Sequence, residues 1–159
     1  HIGIDADTLQ IRAICVTSNN VSDASMLCDL LEQLPPDEAL KSLTGDGAYD
    51  TQPAYEAVIR RGAIPIIPAR KNARVRRGTV FEHRNAAIAV CRRLGRSIWK
   101  RWIGYHRRSL VETKMNCIKR LGERVMSRTF ERQVNELHIR AAILNRFTEL
   151  GRPQTAAVA

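Results

Sequence analysis

No apolar run in the sequence approaches the roughly 18 residues a bilayer crossing requires, which argues against a membrane-spanning helix. The opening HIGID reads as a strand and not as the charged start of a signal segment. The chain is therefore expected to be a soluble piece of something longer. Cys15, Cys28, Cys91 and Cys117 include no Cys-x2-Cys spacing, and His1, His83, His106 and His138 are scattered. No His/Cys pair has zinc-like spacing, so these residues are not expected to bind metal. The cysteines are expected instead to be small buried side chains in a reducing compartment. Internal repeats and low-complexity segments are also missing, so repeat architectures drop out.

The absence that says most is that of carboxylates after Pro68. From Ala69 onward six glutamates stand among 22 lysines and arginines, a net +16. Before that point ten aspartates and glutamates face four basic residues, a net −6. Such asymmetry points to a neutral-to-acidic half and a half that faces a polyanion. A solvated basic surface with no partner is the alternative. Trp99, Trp102 and Tyr105 lie inside the densest basic stretch, which favours nucleic acid.

What remains is ordinary for a folded protein. With 159 residues and 44% apolar content, the chain is long enough for one domain with a real core and too short for two. HIGID and IRAICVTSN alternate well enough for an antiparallel hairpin turning at ADTLQ, with Asp5 and Asp7 as turn residues at its tip. Ser22 can cap a helix starting at Asp23, with Leu27, Leu31 and Leu34 at helical spacing and Pro35-Pro36 as its stop. Leu40 to Thr44 reads as a short buried strand opening into GDGAYD. Asp50 or Thr51 can cap the next helix, where Pro53 suits the first turn and Gly62 follows the end. In AIPIIPA, Pro65 cannot donate to a ladder, so that strand belongs at a sheet edge.

After Arg70 the pattern changes. KNARVRRG is basic and irregular, and helical periodicity follows from Glu82 to about Leu94. Gly95 and Gly104 punctuate the run before a long helix from about His106 to Leu121. A last helix, about Phe130 to Leu150, has Val134, Leu137, Ile139, Ala141, Ile143 and Leu144 to bury, and residues 151–159 read as a flexible tail. Strands lead and helices follow, so the class is α/β or α+β with a mixed sheet.

Two stretches carry candidate chemistry. On a helical wheel of about 100° per residue, Tyr105, Arg108, Glu112 and Lys119 fall within an arc of about 60°. The mean direction of Leu110, Val111, Met115, Cys117, Ile118 and Leu121 lies some 130–140° away, so one face can bury while the other carries the charged line. Tyr105, directly after Gly104, falls at the helix's opening turn. An Arg–Glu pair at i, i+4 on a solvated face would explain part of the pattern. A metal-binding carboxylate, with Arg107, Arg108, Lys114 and Lys119 beside it to hold phosphates, is the other reading, and the spacing alone does not decide between them. The second stretch, GDGAYD, puts Asp46 at the C-terminal end of a strand, where open α/β sheets bind ligands. Gly45 and Gly47 would spare room for substrate or ion, whereas a plain turn would have Asp46 accept from nearby amides. Asp50 is the better candidate for a purely structural cap. Phosphodiester cleavage with two divalent ions uses several converging carboxylates, and Asp46 and Glu112 are the right residue types but few.

The spacing Tyr105-x2-Arg108-x3-Glu112-x6-Lys119 resembles the signature around the catalytic glutamate of bacterial insertion-sequence transposases of the DDE type. GDGAYD resembles the segment carrying their second catalytic aspartate, and ARKNA, WKRWIGYH, RRSLVETKM and AILNRF are similar to the same family. The resemblance covers nearly the whole chain. It implies a ribonuclease-H-like α/β fold, a mixed sheet flanked by helices, with residues 1–150 as part of the catalytic domain. It also implies a cytoplasmic, nucleoid-associated enzyme that cuts and joins DNA at element ends with Mg²⁺ or Mn²⁺, acting as a homodimer on transposon ends and target. Asp46 and Glu112 would then be metal-binding catalytic residues, and Tyr105, Arg108 and Lys119 would touch DNA near the reacting phosphate. The family's first aspartate lies on a central strand upstream of the hairpin with which this chain starts. The fragment alone is therefore expected to be inactive and marginally folded. A basic DNA-binding module without chemistry, or an inactive remnant, is the alternative.

Overall fold

A computed structural model describes residues 1–18 and 20–151. The tail expected at 151–159 thus lies, from residue 152 on, outside the described residues. In chain order the elements are β1 (Ile2–Ile4), β2 (Ile11–Ile14), α1 (Leu27–Glu32), β3 (Ser42–Thr44), α2 (Gln52–Arg60), β4 (Ile64–Ile66), α3 (Glu82–Leu94), α4 (Arg96–Trp102), α5 (Ser109–Arg120) and α6 (Phe130–Leu150). The architecture is mixed α/β. Its strands pair as two two-stranded sheets, one antiparallel and one parallel, where one mixed sheet was expected. The chain divides into two compact units, His1–Val16 with Leu110–Ala159, and Thr17–Ser109.

In the first unit β1 and β2 form the expected hairpin, with Ile2 opposite Ile14 and Gly3 opposite Ala13. Asp5 closes its tip, its Oδ1 accepting from the amides of Asp7 at 2.7 Å and Thr8 at 3.0 Å, as a turn aspartate does. Ile11 joins Ile118, Ala141 and Leu144 in an aliphatic core flanked by Ile2, Ile4, Met115 and Leu137. Asn145 bridges α6 to the backbone of β2, accepting from the Ile11 amide at 2.7 Å and donating to its carbonyl at 2.9 Å. Not every apolar side chain of α6 is buried. Ile139 is 60% and Ile143 42% exposed, contrary to expectation. The helical period explains this: Val134, Leu137, Ala141 and Leu144 span an arc of about 80°, and Ile139 and Ile143 stand roughly opposite it.

In the second unit Ser22 does cap its helix, accepting from the Ser25 amide, but the first turn is 3₁₀ (Asp23–Met26) before α1 continues. Leu27 and Leu31 pack against Ala54, Ala57 and Val58 of α2. The parallel pair β3–β4 places Leu43 opposite Pro65. Pro65 is tolerated because its neighbours carry the bonds: the Ile64 amide donates to Lys41 and the Ile66 carbonyl accepts from Gly45. Tyr55, Ile67 and Phe81 form a further core, Tyr55 meeting Phe81 edge-on at 6.1 Å, and Ile66, Ala87 and Trp99 form another. Complete burial of a side chain such as Val58 or Ile67 contributes about 1.5–3 kcal/mol. None of the four cysteines is fully buried, which corrects that expectation. Cys28 is exposed because Leu27, Leu30 and Leu31 occupy the buried positions of its helix, and all four are free thiols.

Candidate active site

Asp46 stands where the parallel pair ends. The Gly45 amide still bonds to the Ile66 carbonyl at 3.2 Å, and Asp46 then leaves the ladder in extended conformation to open a 3₁₀ turn, Gly47–Tyr49. Its two oxygens do different things. Oδ1 accepts from the Ala48 amide at 2.8 Å, which is the turn role, while Oδ2 lies 3.6 Å from the Arg108 guanidinium. Both side chains are about one-third exposed, so the pair contributes at most about 1 kcal/mol. Gly45 does not clear space for a ligand as expected. A Cβ there would come within 3.0 Å of the Tyr49 ring, so the missing side chain makes room for that tyrosine. Burial, and then the charges of Asp23 and Asp46, push the Tyr49 hydroxyl up to about 12.

The motif that read as one helical face is not on one helix. Gly104 adopts the left-handed conformation at φ 69°, Tyr105–Arg108 form a 3₁₀ turn, and α5 begins only at Ser109. At about three residues per turn, Tyr105 and Arg108 are nearly eclipsed. Tyr105 leans on Trp99, ring centres 5.9 Å apart, beside Ile66, Ala87 and Val90, with the Lys100 ammonium 5.1 Å above its ring. Tyr105 is thus half-buried and packs against Trp99. Lys100, Arg101, Tyr105, His106, Arg108 and Ser109 line one concavity.

Glu112 and Lys119 are both exposed on α5, one in its first turn and one in its last, where the helix dipole favours each charge. Seven residues apart, they share a face. They belong to the first compact unit, whereas Asp46, Tyr105 and Arg108 belong to the second. The described residues do not fit a two-ion centre: no group of three or more His, Cys, Asp or Glu that could hold a metal occurs among them.

Asp50 has a structural role, but not the one its position suggested. Thr51 precedes α2 without a capping side-chain bond, and Asp50 instead meets Arg84 in a buried pair, Nε to Oδ1 at 2.6 Å. Asp50 also accepts from the Arg70 amide at 3.1 Å and the Tyr55 hydroxyl at 3.4 Å. Burial alone would raise this carboxyl; the Arg84 bond and charge and the other donors outweigh it and hold it below the usual carboxylate value. Arg84 escaped sequence reasoning. It lies 34 residues from Asp50, and nothing local separates it from its solvated neighbours.

These features define an α/β chain with a carboxylate at a strand end beside an arginine, next to a dense run of cations. Residues 1–146 match the transposase DDE domain, and the chain belongs to that family. No solved structure matches the chain.

Proposed function

We propose that this chain is part of the catalytic core of a bacterial insertion-sequence transposase, the enzyme that cleaves DNA strands at element ends and joins them to a target. Family membership supports the reaction class. The observation that carries the site is Asp46, with one oxygen spent on its turn and the other beside Arg108 at the end of a parallel strand pair. Asp46 and Glu112 are the catalytic carboxylates in this reading. Arg108 and Lys119 hold phosphates of the substrate, and Tyr105 supports the Arg108 turn through Trp99. The antiparallel and parallel strand pairs are both kinds that a ribonuclease-H-like sheet combines. Mg²⁺ or Mn²⁺ is the cofactor this reading implies. Since the described residues gather no three-ligand group, the chain needs a further carboxylate to complete such a centre.

The purified chain is therefore expected to retard duplex DNA in a gel and to leave it uncut with either ion present. Failure to bind DNA contradicts the proposal. Nicking that Asp46→Asn abolishes would show instead that the chain holds a complete centre. The net +16 from Ala69 onward favours a second reading, a basic DNA-binding module without chemistry.

A further inference from the structure

The segment Ala69–Gly78 carries five cations and no carboxylate, and has no regular secondary structure. Its backbone is nevertheless tied down. The Arg70 amide donates to Asp50 at 3.1 Å, and Arg96 donates to the Ala69 carbonyl. Arg92 donates to the Ala73 carbonyl at 3.3 Å and Arg84 to that of Arg74 at 2.7 Å. The Asn85 amide pairs with both backbone groups of Arg76, at 2.7 and 3.1 Å. The cations of this region thus separate into two sets. Arg84, which is buried, and Arg92 and Arg96, which are exposed, each donate to a loop carbonyl. The loop's own Arg70, Lys71, Arg74, Arg76 and Arg77 are exposed, and none forms an ion pair among the described residues.

Arg70, Arg74 and Arg76 line one concavity with Thr51, Gln52 and the buried Asp50–Arg84 pair, in which the one carboxylate present is already matched by its arginine. The start of α2 opens into it without a side-chain cap, and Pro53 in that first turn has no N–H. A helix N-terminus beside exposed guanidiniums attracts anions. The loop has no aromatic residue on which a base could stack, and the nearby Phe81 ring is buried with the Arg76 guanidinium 5.3 Å above it. We infer that this pinned loop is a docking site for the phosphodiester backbone of DNA, separate from Asp46, gripping it without reading sequence. Holding the backbone in place beforehand reduces the ordering cost of binding. The identity of the polyanion rests on the transposase reading; the cleft itself does not.

The test compares duplex-DNA affinity of the full chain across salt concentrations with that of a triple variant, Arg70→Ala, Lys71→Ala, Arg74→Ala. None of the removed side chains makes a backbone tie, so the melting curve is expected to be unchanged. The log–log salt slope is expected to fall by about 0.9 per lost contact, and affinity on the order of a hundredfold at 0.1 M salt. Lys71→Ala alone, the mildest change, is expected to reduce the slope by about 1. An unchanged slope in a chain that still binds DNA overturns the cleft and leaves the transposase reading standing. Equal loss from a triple in the other compact unit, Arg124→Ala, Arg128→Ala, Arg132→Ala, overturns it too, since diffuse charge would then suffice. Displacement of DNA by poly-glutamate at matched charge would assign the loop to acidic polypeptide. No DNA binding by the unaltered chain removes both readings.

Discussion

The two compact units keep their shape by different means. His1–Val16 with Leu110–Ala159 carries ten basic against seven acidic residues, a net +3, and is held by an aliphatic core with one amide, Asn145, bridging helix to strand. Thr17–Ser109 carries sixteen against nine, a net +7, and centres on a buried ion pair from which a basic loop is hung. The sharp change of charge at Pro68 falls inside that second unit, not between the two. What separates them is where polar groups are buried. The first unit's corresponding pair, Arg140 with Glu136 in the middle of α6, keeps 11% and 20% of its side chains exposed. The second buries Arg84 at 3% exposure, so its stability depends on charge.

The comparison can be broken most sharply at Arg84. Arg84→Ala leaves the Asp50 carboxylate buried without its cation and frees the Arg74 carbonyl, with an expected loss of about 3–5 kcal/mol. Denaturant titration followed by tryptophan emission reads this in the second unit, since Trp99 and Trp102 are the chain's two tryptophans. Asp50→Leu with Arg84→Met should recover much of the loss; no recovery would mean that the tie to the loop matters more than the pair. In the first unit the matching change is Leu144→Ala, a cavity among aliphatic neighbours costing about 2–3 kcal/mol by far-ultraviolet circular dichroism. A smaller effect separates the units by pH. Asp50 is held below its ordinary value of 3.8 when folded, so its contribution is full above that value and is lost as pH falls through it toward the folded one. Tryptophan-detected stability should decline there, and Asp50→Asn should flatten the decline from a lower starting level.

Much of this architecture was legible because its causes are local. α3 and α6 span the residues their periodicity marks, Ser22 caps where a serine before an acidic turn should, and Asp5 closes its hairpin with its own carboxylate. Legibility fails where the cause is distant or competing. Apolar residues at 139 and 143 look like core until their angle on the helix is taken into account. The break at Gly104 was visible as a glycine, but the 3₁₀ turn after it depends on Tyr105 settling against Trp99, a contact no periodicity reveals. Gly45 answers to a tyrosine four residues on, and Asp50 to an arginine on another helix. For the candidate site the residue types were readable, but the approach of Arg108 to Asp46 was not, and the common face read for the motif is broken by the 3₁₀ turn.

The most direct test of the central claim is excision of a marked element in cells carrying the gene in its native context. Asp46→Asn and Glu112→Gln should each abolish excision while leaving DNA retardation by the purified chain at or above its normal level. Excision at the normal rate with either substitution, in a protein that still accumulates, would contradict the assignment of these two carboxylates to the reaction.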